Sequence, residues 1–145
     1  MPSPEVVVAG GEAYFGLRWQ VTPLLVAFGL RRGIDPVRSL VVDPIARYAG
    51  SAELFVSPEF VALPGGAARQ WGLRVGFRFH VPAEDFGESL AFFFGASHLL
   101  LAGEHSTGFE AGACTLFGLV GAQVTWHPRL LGDGAWFFTL RVRYL

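Results

Sequence analysis

The sequence predicts an all-β fold, a closed antiparallel up-and-down β-barrel of about eight strands. Large apolar residues recur at every second position over most of the chain, which is the period of a strand rather than a helix. Residues 70–81 are the clearest case, because Trp71, Phe77 and the other odd positions are apolar while the even positions carry Gln, Gly, Arg and His. The 19 glycines and 9 prolines also argue against long helices. All-β chains of this pattern close as barrels or sandwiches.

Strand-like segments follow one another along the chain, at residues 13–30, 40–60, 70–81, 89–101, 109–117, 120–126 and 136–144, and they alternate except for 89–101, which is apolar on both parities. Residues 40–60 keep one parity across residues 49–51, as they would through a three-residue hairpin loop, so they are interpreted as two strands. Residues 14–30 form either one bent strand or two strands around Pro23, which leaves ten strands possible. Turn-forming residues occupy the segments between these strands, at 31–36, 63–67, 82–87, 102–107 and 128–134.

Composition limits both the size and the partners of the protein. The chain has 145 residues, of which 52% are hydrophobic and 16% charged, with a net charge of −1. This length predicts one domain, residues 1–145. The charge balance provides no basic surface for nucleic acid. The apolar segments 21–30 and 89–103 are too short for a membrane-spanning helix. Residues 1–5 do not resemble a signal peptide, so we expect either a cytoplasmic chain or a mature chain that has lost one.

The direction of the apolar face distinguishes a soluble barrel from a transmembrane barrel, in which the apolar face meets lipid. Three features favour lipid. The opposite face is mostly Gly, Ser, Thr, Gln and Ala, whereas a soluble exterior would be densely charged. The alternating segments are close to the roughly 9–11 residues that a membrane-spanning strand needs. Aromatic residues that suit a membrane–water interface lie near the predicted strand ends, namely Trp19, Trp71, Trp126, Trp136 and Tyr144.

With these features the chain resembles the small, eight-stranded outer-membrane β-barrels of Gram-negative bacteria. The run from Trp136 to Tyr144 resembles the C-terminal strand signal that the barrel-assembly machinery reads, although the family pattern ends on an aromatic residue and Leu145 follows here. The resemblance implies a monomer in the bacterial outer membrane, with outer-membrane lipids and the assembly machinery as partners and both termini in the periplasm. It implies no particular activity.

Charged residues on the polar face would meet inside a narrow lumen: Arg18, Asp43, Arg47, Glu53, Glu59, Arg74, Arg78, Glu110, Arg141 and Arg143. Each would cost several kcal/mol if it were buried without a partner. We therefore expect an Arg–carboxylate network that plugs the barrel, because the planar Arg side chain bonds carboxylates through two donors. The alternative is a narrow polar channel with a slight preference for anions, since Arg outnumbers the acids in this set.

The cluster at residues 104–107 is the strongest candidate for catalysis, with His105, Ser106 and the nearby Glu110. Small barrels include lipid A deacylases that use these residue types. In those enzymes, however, His and Ser lie two apart on one strand face, whereas here they are adjacent and would point to opposite faces. We therefore expect a polar hairpin loop here. The spacing of the four His residues indicates no metal site, and we expect no cofactor.

The sequence thus predicts a structural outer-membrane barrel, with a narrow or plugged lumen and no evident catalytic activity. Two alternatives remain open. One is a barrel hydrolase that acts on outer-membrane lipid, and the other is a soluble β-barrel that binds a small ligand.

Overall fold

A computed structural model describes residues 2–28, 37–39, 50–64, 70–83, 90–116 and 120–142. Ten strands lie within these ranges: β1 (Ser3–Ala9), β2 (Glu12–Arg18), β3 (Val21–Ala27), β4 (Val37–Ser39), β5 (Ser51–Val61), β6 (Trp71–Pro82), β7 (Ala91–Leu101), β8 (Glu104–Thr115), β9 (Val120–His127) and β10 (Ala135–Val142). No helix among the described residues is long and apolar enough to cross a membrane.

The strands form a closed antiparallel barrel of eight strands, with one additional strand. β2 and β3 both pair with β5, on successive stretches of it, so together they act as one barrel strand interrupted at Trp19 and Gln20. The sheet runs from this strand through β1, β10, β9, β8, β7 and β6 to β5, and the β2–β5 pairing closes it. β4 is the additional strand and pairs with β3. Within the predicted strand region 14–30, the described residues therefore form one barrel strand, which is interrupted at Trp19 and Gln20 rather than divided at Pro23.

The structure adds a strand that the sequence pattern does not predict. β1 pairs with both β2 and β10 and completes the barrel. Its centre is Val6, Val7 and Val8, which are apolar on both parities, so alternation could not reveal it. The strand predicted at residues 40–48 lies outside the described residues.

Side chains divide between the two faces of the barrel wall as the alternation predicts. In β6, for example, Arg74, Arg78 and His80 are buried in the interior, while Leu73 and Phe77 are exposed on the outside. The interior face is rich in glycine, which leaves space for the few long side chains. At Gly95, a Cβ atom would collide with the backbone oxygen of Phe77 and with the backbone of Arg78 across the strand pair.

A bulge at Pro23 changes the parity of the interrupted strand. Leu24 lies three positions after Val21 in β3, whereas their partners Val56 and Leu54 lie only two positions apart in β5. Thr22 is buried before the bulge and Leu25 after it, so the even positions face inward first and the odd positions afterwards. Proline has no N–H to donate to a neighbouring strand and is therefore well placed at such an irregularity.

Two hairpins turn through only two residues. Gly10 and Gly11 connect β1 to β2, and Ala102 and Gly103 connect β7 to β8, all four with positive φ. This is the geometry of a type I′ turn, whose twist matches that of the flanking strands. The prediction of a loop at residues 102–107 is therefore wrong beyond Gly103, because the chain re-enters the sheet at Glu104.

The barrel has two distinct ends. We call the end that carries both tight turns, the end of β5, the start of β6 and the loop at residues 128–134 the turn end. At the opposite end, the terminal end, β1 begins and β10 ends, as the pairing of Glu5 with Thr139 requires. An apolar cluster fills the interior at the turn end: Val7, Ala9, Val61, Leu63, Leu99, Leu101, Leu130, Ala135 and Phe137.

Candidate functional site

The middle of the barrel interior contains an equal number of buried acids and buried arginines among the described residues. They are Glu5, Arg18, Glu53, Glu59, Arg74, Arg78, Glu110 and Arg141, each at most 6% exposed. We call this set the interior charge network. Of the charges that the sequence predicts for the lumen, Asp43, Arg47 and Arg143 lie outside the described residues. The described interior charges balance, so they give no support to the alternative of an anion-preferring channel.

Arg74 and Glu59 form the closest ion pair of the network. Arg74 Nη2 donates a hydrogen bond to Glu59 Oε2 at 2.8 Å, and Nε lies 2.5 Å from Oε1. The second contact is close but poorly aligned for a hydrogen bond. Arg74 also reaches Thr125 Oγ1 at 3.3 Å from Nη1. The pair thereby connects β5 and β6 to β9 across the lumen.

Arg78 connects β6 to β8 through a second ion pair. Its Nε donates to Glu110 Oε1 at 2.7 Å. Gln123 Nε2 donates to the other oxygen of Glu110 at 3.0 Å. Both oxygens of this buried carboxylate are therefore bonded, as a buried charge requires.

The carboxylate of Glu53 is the acceptor at the centre of a third set of hydrogen bonds in the network. One of its oxygens accepts from Gln20 Nε2 at 2.9 Å and from the hydroxyl of Thr22. The other lies 2.8 Å from His80 Nε2. Through its own oxygen, Gln20 also accepts from Arg78 at 3.1 Å and from Arg141 at 2.9 Å. The neutral Gln20 thus joins two cations to one anion.

The last pair of charges is less completely bonded. Arg18 Nε donates to Ser57 Oγ at 2.8 Å, but its two terminal nitrogens have no hydrogen-bond partner among the described residues. Glu5 accepts from Thr139 Oγ1 at 2.6 Å through one oxygen only.

Aromatic rings cover the faces of the interior arginines. Phe55 lies between two of them, 4.2 Å from Arg78 and 5.2 Å from Arg18, measured from guanidinium carbon to ring centre. Phe137 lies 4.5 Å from Arg74. A cation over a desolvated ring gains up to about 2 kcal/mol. These contacts explain why large aromatic residues occupy some inward positions.

Sequence reasoning identified the face of most network residues but not their partners. Glu5 was missed because its strand was not predicted. Gln20, Thr22, His80 and Gln123 lie at polar positions of the alternating segments, yet they were not included among the candidate site residues. Their inward parity was the feature that could have identified them.

The candidate catalytic residues do not come together. His105 is exposed on the outside of β8, whereas Ser106 is 3% exposed and faces the interior. Glu110 also faces inward, where it bonds Arg78 and Gln123. A nucleophile and its base must lie within hydrogen-bond reach. His105 and Ser106 are therefore not a catalytic pair, and they lie in a strand rather than in the predicted loop.

The turn end carries a rim cavity of about 260 Å³ that includes two carboxylates. Each already has a structural partner. Tyr14 donates its hydroxyl to Glu12 at 2.6 Å, and the backbone N–H of Leu131 donates to Glu104 at 2.7 Å. The cavity therefore lies beside groups that hold the turns in place.

Tryptophan side chains gather on the outer surface towards the turn end. Trp126 stacks on Trp136 with ring centres 4.7 Å apart, and Trp19 stacks on Trp71 at 6.1 Å. Towards the terminal end, the described aromatic contacts on the outer surface join phenylalanines, as between Phe79 and Phe94. Tyr144 lies outside the described residues.

Comparisons with known proteins give no counterpart, because no protein-family model, no curated protein and no solved structure matches the chain. The functional inference therefore depends on the geometry of the barrel.

The interior charge network predicts a large cost for breaking one pair and a smaller one for removing both partners. Arg78→Met leaves the Glu110 carboxylate buried without its cation, so we expect the free energy of unfolding to fall by about 3–5 kcal/mol. Arg78→Met combined with Glu110→Gln should recover a substantial part of that loss. Urea unfolding of the folded barrel measures the loss for Arg78→Met, for Glu110→Gln and for the double variant. If the two single losses simply add in the double variant, the two side chains are not coupled.

Proposed function

We propose that this protein is a bacterial outer-membrane β-barrel with a plugged lumen and a structural role. One observation carries the proposal: the barrel is apolar on the outside and charged on the inside. This is the reverse of the distribution in soluble domains, where Glu and Arg are almost never fully buried unless paired.

The outer surface supports a lipid environment. Large apolar side chains that are 37–70% exposed surround the barrel: Val6, Phe15, Val21, Leu24, Phe28, Leu54, Trp71, Leu73, Val75, Phe77, Val81, Phe92, Phe94, Leu100, Phe109, Leu116, Val120, Trp136, Phe138 and Leu140. Soluble monomers rarely expose contiguous apolar patches above a few hundred Å². In a bilayer the same surface is the one that contacts the hydrocarbon.

Four strands of the wall have lengths that suit a bilayer. β5 and β7 have 11 residues each, and β6 and β8 have 12. A tilted strand needs about 9–11 residues to cross the hydrocarbon core. The outward Trp residues near the turn end fit a membrane–water interface, where indole rings concentrate. Outer-membrane lipids are therefore the proposed surroundings, and the barrel-assembly machinery is the proposed partner during insertion.

The interior supports a plug rather than a pore. The apolar cluster fills the turn end, and the interior charge network crosses the middle from wall to wall. An eight-stranded barrel is just wide enough for its side chains to fill it. A soluble ligand-binding barrel would need an open lumen, and a hydrolase would need His105 and Ser106 on one face, so the geometry favours neither alternative.

Arginine substitutions on the outer surface test the membrane proposal, because their cost should depend on how deep in the bilayer they lie. Phe77 is 50% exposed near the middle of β6, and Leu100 is 38% exposed beside the β7–β8 turn. In lipid vesicles, we expect Phe77→Arg to lower the free energy of unfolding by about 2–4 kcal/mol and Leu100→Arg by about 0–1 kcal/mol. Urea titration of the refolded proteins gives both values. A soluble barrel would tolerate both substitutions alike, and equal small losses would therefore contradict the proposal.

A plugged lumen predicts an electrically silent barrel. After incorporation into a planar bilayer, the wild-type protein should give no unitary current steps. Incorporation is verified separately by the slower or faster gel migration of the unheated, folded species compared with the boiled one. Reproducible unitary steps from protein that passes this check would reject the plug and favour the channel.

A further inference from the structure

We propose that His98 and His105 form a binding site for a divalent transition-metal ion on the outer surface near the turn end. The two residues lie seven apart in sequence, but the β7–β8 turn makes them neighbours. His98 pairs with Thr107, and His105 pairs with Leu100, so the two imidazoles are diagonal neighbours on one face of the strand pair. Both side chains are exposed.

The separation of the two ring nitrogens suits a shared metal ion. His98 Nε2 lies 3.3 Å from His105 Nδ1. Two metal–nitrogen bonds of about 2.0–2.1 Å at a tetrahedral angle place their nitrogens about 3.3–3.4 Å apart. The ring centres are 5.6 Å apart and the ring planes differ by 32°, so neither imidazole stacks flat on the other. An ion would replace the nitrogen–nitrogen hydrogen bond without moving the strands.

Thr107 supplies the supporting contact that such a site requires. Its Oγ1 lies 3.0 Å from His98 Nδ1. By accepting the Nδ1 proton, this hydroxyl leaves the lone pair of His98 on Nε2, which faces His105. A metal-bound imidazole typically donates the N–H of its second nitrogen to such an acceptor, and this hydrogen bond fixes the orientation of the imidazole ring. His105 binds through Nδ1 when its proton is on Nε2.

The ligand chemistry points to copper or zinc. Imidazole nitrogens suit these ions, and Cu²⁺ has the highest affinity among the divalent first-row metals. Within the part of the chain that the structure describes, no third His, Cys, Asp or Glu completes a cluster. The two imidazoles thus leave the remaining coordination positions to water or to an outside ligand. The site requires only the folded hairpin, so it is independent of membrane insertion.

Copper titration of the folded, tag-free barrel in detergent tests the site. We expect one Cu²⁺ per chain by calorimetry and a paramagnetic resonance spectrum with coupling to two nitrogens. His98→Gln or His105→Gln should each weaken binding by about 10-fold or more, and Thr107→Val should weaken it by about 10-fold while both nitrogen couplings remain.

Phe109→Leu is the matched control, since Phe109 is exposed on the same face of β8 and offers no ligand atom. It should bind copper as the wild type does. All these side chains are exposed, and unheated gel migration confirms that each variant has folded. Wild-type affinity or an unchanged spectrum in the His98→Gln/His105→Gln double variant would overturn the proposal. So would binding by the wild type that leaves no nitrogen coupling.

Discussion

Neutralisation of buried charge is the constraint on which this barrel depends. Among the described residues, four arginines and four glutamates are held inside a closed wall of eight strands. No such charge can remain in a narrow interior without a partner, because removing one member of a buried pair costs several kcal/mol. Glycines such as Gly95 provide the space, rings such as Phe55 cover the guanidinium faces, and Gln20 bridges cations to an anion. The wall of the barrel thus accommodates the buried charged side chains.

The same constraint explains the outer surface. The charged residues of the network lie on one face of their strands, so the large apolar residues at the alternate positions of those strands point outward. A strand has only two faces, so a chain that places charges on the inward face leaves apolar residues of the opposite parity to the surroundings. The interior charge network and the apolar exterior therefore both follow from the alternation of polar and apolar residues along the strands.

Much of the fold was accessible from the sequence, because a period of two determines the face of each residue. The faces of β5, β6, β8, β9 and β10 follow from it directly. β1 was missed because Val6 to Val8 are apolar on both parities, and the parity change after Thr22 depends on a bulge that no period reveals. Partners were harder to predict than faces. Whether Arg78 meets Glu110, or His98 meets His105, depends on the register across hairpins, and register follows from turn lengths such as the two residues at Ala102 and Gly103.

The central claim is that the apolar exterior contacts lipid. Quenching of tryptophan fluorescence by lipids brominated at defined depths along the acyl chain measures that contact directly. The four Trp residues of the chain all lie on the outer surface towards one end of the barrel. Refolded into such vesicles, the protein should therefore be quenched, most strongly by bromines close to the headgroup. Fluorescence that is unchanged by bromine at every depth would contradict the account.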